Sequence, residues 1–220
     1  MATDTKARIL DAAESLFADH GFPATSLRDI TQEAGVNLAA VNYHFGSKEA
    51  LLISVLERKI APVNRTRLAQ LEALETAAGA DPVPTEDLVR AFLTPLFETW
   101  GKHGQGLPKF MKLVGRIHAE VDQDVRTKFI KQFDTVLQRF SAAFHRGLPH
   151  LDAIEVQWRV LFLVGSMAHT MTWGGSIVTM DGQVCHDPEE IFEALIQFST
   201  AGMGAPVLQP VAVASRRGAR

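Results

Sequence analysis

The sequence predicts an all-α protein, with a three-helix head at the N-terminus and a larger helical body behind it. Three observations predict this. Apolar residues recur at helical spacing in segment after segment. Near the N-terminus each such segment is opened by a capping side chain or closed by a glycine. No strand-length alternation of apolar and polar residues interrupts them.

The elements follow in order. Residues 5–20 place Ile9, Leu10, Ala13, Leu16 and Phe17 on one face, and Gly21 stops the helix. Ser26 with Asp29 three residues on is a capping-box pattern. It opens a second helix with the inner stripe Leu27, Ile30 and Ala34, which Gly35 ends. Asn37 caps a third helix, 38–45, closed by Gly46, and Ser47 caps a fourth that begins Lys48-Glu49-Ala50. The body is expected to hold helices at 48–76 (bent at Pro62), 85–101, 107–120, 122–147, 152–174 and 187–202. Loops are expected at 79–84, 148–151 and 174–186. From Gly204 the chain is rich in Pro, Ala and Arg without a usable period and is expected to be disordered. The domains read as a helix-turn-helix head at 1–47, a body for ligand binding and dimerisation at 48–203, and a tail at 204–220.

Charge excludes binding to nucleic acid by bulk attraction. The net charge is −3, and the first sixty residues carry Lys6, Arg8, Arg28, Lys48, Arg58 and Lys59 against a larger number of Asp and Glu. Any contact with DNA must come from positioned groups. The single cysteine, Cys185, can form no disulfide within the chain, which suits a reducing cytoplasm. The polar start of the chain does not read as a signal peptide. From Val160 to Met180 the chain lacks Asp, Glu, Lys and Arg. Yet Ser166, His169, Thr170 and Thr172 interrupt the run and Gly174-Gly175 breaks it, so a buried helix is expected rather than a membrane span.

Residues 38–45 carry the functional signal. On a wheel of ~100° per residue, Leu38, Val41 and Phe45 fall on one side, Ala39, Ala40 and Tyr43 opposite, and Asn42 and His44 on the flanks. Small side chains let a helix sit deep in the major groove, where Ala can touch a thymine methyl and Asn can pair with adenine. Tyr and His can donate to phosphates. Lys48 in a first helical turn opposes the helix dipole at a cost of ~0.3–1 kcal/mol, a cost that a bound phosphate reverses. Arg28 is placed to reach a base edge or phosphate, and Thr25 and Ser26 offer hydroxyls. Asn37, at the edge of the same helix, is grouped with them. A purely structural three-helix unit would show the same spacing.

The stretch 35–48, GVNLAAVNYHFGSK, with Thr25-Ser26-Leu27-Arg28-Asp29-Ile30 before it, resembles the TetR family of bacterial regulators over roughly residues 5–55. The resemblance implies an all-α homodimer that binds a palindromic operator, usually represses, and lets go when a small molecule enters its C-terminal domain. By the same resemblance Arg28, Leu38, Ala39, Ala40 and Asn42 match positions that face bases. Ser26, Tyr43, His44 and Lys48 match phosphate contacts. Leu38 is in tension with the wheel, which sets it with the core. With Trp158-Arg159-Val160 and Gly165, the chain also resembles the PsrA-like regulators of fatty-acid metabolism, which implies a long-chain fatty acid or its CoA ester as ligand.

In the body, Phe129, Phe133, Phe140 and Phe144 share a narrow sector of one expected helix. Phe92 and Trp100 line a second, and Phe110 and Val114 a third. Such rings close either into plain core or around an apolar pocket. His118 and His169 fall on apolar faces, the latter in line with Trp158, Phe162 and Trp173, and either could meet a ligand's carboxylate or sit satisfied in the core. Helix 152–174 has a second apolar side, Val160, Val164, Met167 and Met171. With Ile191, Leu195 and Phe198 it is expected to face a partner subunit. Dimerisation would set two recognition helices ~34–36 Å apart.

Catalysis finds no support. The eight histidines show no metalloprotease spacing, and Cys185-His186 stands in an expected loop without partners, so no metal site is expected. Gly101, Gly104 and Gly106 around Lys102 follow no strand, and no cofactor is expected. The competing reading is a helix-turn-helix regulator controlled by a protein partner, without a small-molecule pocket.

Overall fold

In the computed structural model, which describes residues 2–101, 123–173 and 187–207, every regular element is an α-helix. The described residues form α1 (Ala2–His20), α2 (Leu27–Ala34), α3 (Leu38–Phe45), α4 (Lys48–Ala78) and α5 (Thr85–Gly101). They continue with α6 (Gln123–Lys131), α7 (Asp134–Gly147), α8 (Ala153–Trp173) and α9 (Pro188–Gly204). The expected helix at 107–120 and loop at 174–186 lie outside the described residues.

The head's termini are fixed by local chemistry. Ser26 Oγ accepts from the Asp29 amide and Asp29 Oδ2 accepts from the Ser26 amide, which closes the capping box. Asn37 Oδ1 and Ser47 Oγ accept from the amides of Ala40 and Ala50. Gly35 turns the chain between α2 and α3 at φ 61°, a left-handed conformation that costs glycine least. Arg8 of α1 reaches this turn, its Nε donating to the Ala34 carbonyl at 3.0 Å and its Nη2 to the Gly35 carbonyl at 2.7 Å. A Cβ at Gly35 would stand 3.1 Å from that Nη2, so a side chain there would also push the Arg8 guanidinium by a few tenths of an ångström.

Two hydrophobic cores result, and α4 passes through both. The first joins Ile9, Ala13 and Phe17 of α1, Ile30 of α2, Val41 of α3 and Leu51–Ile60 of α4. It extends past residue 47 and takes in Val125 and Phe129 of α6. The second begins at Leu71 of α4 and gathers α5, α7, α8 and α9 around Phe92, Phe140 and Phe144. Ion pairs hold the long helix to its neighbours. Arg58 reaches Asp11 at 2.7 Å and Glu14 at 2.8 Å in α1, and Lys59 reaches Glu14 at 2.9 Å. Farther along, Glu75 accepts from Arg139 and Arg146 of α7. The buried Arg159 of α8 donates to the carbonyls of Gly202 and Met203, so that it caps α9 from the side.

Two expectations are corrected. The helix expected at 122–147 is broken at 132–133, where the Gln132 and Phe133 amides bond three residues back and the Gln132 carbonyl accepts from Asn64 Nδ2 of α4 at 3.1 Å. The break divides the phenylalanine sector. Phe129 enters the head's core with Phe133 packed against it, while Phe140 and Phe144 enter the body's core. Periodicity could not foresee this, because the side chain that takes the carbonyl comes from a distant helix. Among the described residues no helix is long and apolar enough to cross a membrane.

Candidate nucleic-acid interface

α3 is held by its buried Val41, with Phe45 half-buried against the same core, and it turns Leu38, Ala39, Asn42 and Tyr43 outward. Tyr43 is 86% exposed and Leu38 44%. The wheel's assignment of Leu38 to the core is therefore corrected. α3 is too short for a uniform stripe, and its first turn projects past the edge of the packing surface. Ala40 and His44 are half-buried at the flanks, and the Tyr43 ring stands edge-on to His44 with centroids 5.1 Å apart.

Charge at this face is local. Asp11 and Glu14 are engaged by Arg58 and Lys59, and Asp29 is engaged in the capping box. Arg28 stands exposed on α2. Lys48 packs its ammonium 4.4 Å over the Phe22 ring. Desolvation lowers its pKa below the usual lysine value, and Glu49 and Asp29 pull it partly back. An acidic head thus carries Arg28 and Lys48 on the two helices that flank α3 in the chain, with Lys48 close enough to Asp29 to feel its charge, and field strength depends on placement more than on net charge.

One of the two hydroxyls is corrected. Thr25 is buried, and its Oγ1 donates to the carbonyls of Gly21 and Leu16 at 2.8 and 3.2 Å, so its side chain fastens the turn instead of facing a phosphate. Ser26 Oγ already donates to Asp29 Oδ2 at 2.7 Å. Asn37 uses its Oδ1 as the α3 cap and keeps its amide nitrogen as a donor at the exposed edge.

The body places its sequence-predicted residues unevenly. Phe92 and Phe140 pack edge-on at 5.1 Å in the core, and Phe133 lies half-buried near the break. Phe110, Val114 and His118 lie outside the described residues, as do the side chains of Trp100 and Trp173. Phe162 is 64% exposed and His169 is exposed, so neither faces an interior pocket.

The two faces of α8 are the reverse of the expectation. Val160, Met167 and Met171 are buried within the body's core and Val164 packs against it. Ile154, Trp158, Leu161 and Phe162 are exposed, as is Phe198 of α9. Both sides of α8 are apolar, so period alone cannot say which turns inward. The Val and Met side joins the body's core and the bulkier aromatic side is left out. An open apolar groove between α8 and α9, lined by Gly165, His169, Ile191, Leu195 and Phe198, continues that exposed face. Ile191 and Leu195 are half-buried there.

Sequence reasoning missed Arg67 and Asn64, both buried in α4. Their signal was present. They interrupt an otherwise apolar stripe through Ile60, Val63 and Leu71, and a charge in such a stripe requires a partner.

Comparison with known proteins agrees with this geometry. The model of the tetR family of bacterial regulatory proteins matches residues 9–55, and that of the tetracyclin repressor-like C-terminal domain matches residues 90–202. The HTH-type transcriptional regulator EthR of Mycobacterium tuberculosis is 32% identical over 100 residues, 46% of this chain and 44% of EthR. The chain thus spans less than half the length of that relative. The fatty acid degradation regulator FadR of Bacillus halodurans shares the fold with a TM-score of 0.67 at 18% identity, covering 90% of this chain and 95% of its own. FadR of Bacillus subtilis, solved in complex with stearoyl-CoA, does so at 0.63 and 17%, covering 89% and 98%.

Proposed function

Because this chain belongs to the TetR family of bacterial regulators, whose members are ligand-responsive DNA-binding repressors and not enzymes, we propose that it represses from a palindromic operator and is released by a long-chain fatty acid or its CoA ester. The observation that carries the DNA reading is the outward face of α3, with Leu38, Ala39, Asn42 and Tyr43 exposed and with Arg28 and Lys48 on the adjoining helices. A helix offering small, amide and phenolic groups with cations on the adjoining helices suits base edges at its centre and phosphates nearby.

The head, read as 1–47, shares the first turns of α4 with the body at 48–203. Regulators of this family act as dimers. In our reading a second copy covers the exposed face of α8, where Trp158 and Phe162 stack with centroids 6.1 Å apart. An aromatic patch of this kind is a surface that a partner desolvates. The acyl ligand is supported by the aromatic and aliphatic core of the body and by the fold shared with FadR. A gel-shift titration on an operator fragment tests the whole reading. Dodecanoic acid or an acyl-CoA is expected to lower the affinity of the intact protein for that fragment. No binding to palindromic DNA upstream of its own gene, or no response to either ligand, would count against it.

A further inference from the structure

The body holds a positive charge where water does not reach. Arg67 of α4 is 1% exposed. Its Nε donates to the Phe92 carbonyl of α5 at 2.7 Å, and its Nη1 donates to Asn64 Oδ1 at 3.3 Å. Among the described residues Nη2 meets only the thioether of Met167, at 3.4 Å, and the guanidinium lies 4.3 Å from the centroid of the Phe92 ring. All these neighbours are neutral. Arg58, Arg90 and Arg159 each reach a carboxylate, yet none of the ion pairs among the described residues includes Arg67. Burial lowers its pKa to about 10, which still leaves it protonated at neutral pH.

A buried cation without a counter-charge is disfavoured unless something supplies one. The same wall carries further unmet demand. Asn64 bridges Arg67 to the backbone of Gln132, and Nε2 and Oε1 of the Gln132 side chain are buried without a hydrogen-bond partner among the described residues. So is Gln70 Oε1, three residues along α4. Phe92 and Met167, which touch Arg67, belong to the body's core together with Leu71 and Phe140. A guanidinium whose Nη1 has a long bond to an amide oxygen and whose Nη2 is met, among the described residues, only by sulfur suits a carboxylate, which accepts two parallel N–H bonds.

We propose that Arg67, flanked by Asn64 and Gln132, is the anchor for the carboxylate of an apolar ligand in the body. This rests on the reading that the body takes a long acyl chain, and it selects the free acid over the thioester, whose carbonyl carries no charge. It also gives binding a path to the head. The Asn64–Gln132 bond sits at the break between α6 and α7, and α6 places Val125 and Phe129 in the head's core.

Calorimetry on the delipidated full-length chain tests it with a matched pair, dodecanoic acid and dodecan-1-ol. The acid is expected to bind at least about tenfold more tightly than the alcohol. Arg67→Met, which removes the charge at similar volume, should bring the two within about twofold. Met167→Glu, which sets a carboxylate beside the guanidinium, should do the same and guards against a folding defect in the first variant. Equal affinity of acid and alcohol for the unaltered protein would overturn the anchor while leaving the acyl pocket standing. Binding of neither would overturn both. A preference that survives in a folded variant of either kind would also overturn the anchor.

Discussion

Tyr43 projects from α3 with most of its surface open, and Lys48 rests on Phe22 a short turn away. Tyr43 is no part of the head's core and Lys48 meets it only at the half-buried Phe22 ring, so removing them should cost binding more than folding. Tyr43→Ala and Lys48→Ala are each expected to weaken operator binding by about 1–2 kcal/mol, roughly tenfold, in a titration at fixed salt. Lys48→Ala should also flatten the salt dependence, since it removes a phosphate neutraliser. An unchanged affinity with an unchanged melting curve would contradict the assignment. The capping box makes a separate prediction. The Asp29 carboxyl is held below its usual pKa, first by the Ser26 hydroxyl and then by the Ser26 amide. A depressed carboxyl contributes stability that is full above its ordinary pKa and is lost as pH falls through the lowered one. Melting followed by circular dichroism should therefore show the head weakening in acid. Ser26→Ala should lower stability at neutral pH by about 1 kcal/mol and blunt the acid dependence. At this scale the sequence read well wherever a residue acts on its neighbours in the chain, as Ser26, Asn37 and Gly35 do. It misplaced the hydroxyl of Thr25, whose acceptors lie on the preceding turn and helix.

Among the elements, α8 is the instructive one. Its apolar residues occur on both sides, and the periodic pattern fixed its existence and length without fixing its orientation. Only packing within the body's core decides that the Val160 and Met167 side turns inward. The two sides predict opposite outcomes. Phe162→Glu, on the exposed side, should leave the fold intact and shift the protein toward monomers in analytical ultracentrifugation. Val160→Glu should instead lower the melting temperature sharply, because a carboxylate would be buried in the core without a partner. Monomers from the second with a normal melt, and dimers persisting in the first, would restore the original assignment. The break between α6 and α7 was illegible for a related reason. Phe129 to Phe144 keep a helical period, and the interruption is imposed by Asn64 from another helix.

Over the whole molecule, α4 is the member that both cores share. Its first turns carry Leu51, Leu52, Val55 and Leu56 into the head, and Leu71 enters the body beyond Pro62 and Arg67. A sequence boundary near residue 47 follows the caps faithfully but passes over this sharing, since caps report where helices start and not which core they serve. The three helices of the head do not seal it by themselves. Val125 and Phe129 come from far downstream to close its floor. A recognition unit grafted elsewhere without that borrowed plug would bring an open greasy socket with it. Exchange of reading heads between regulators built this way has to carry α6 along, however distant it lies in the chain.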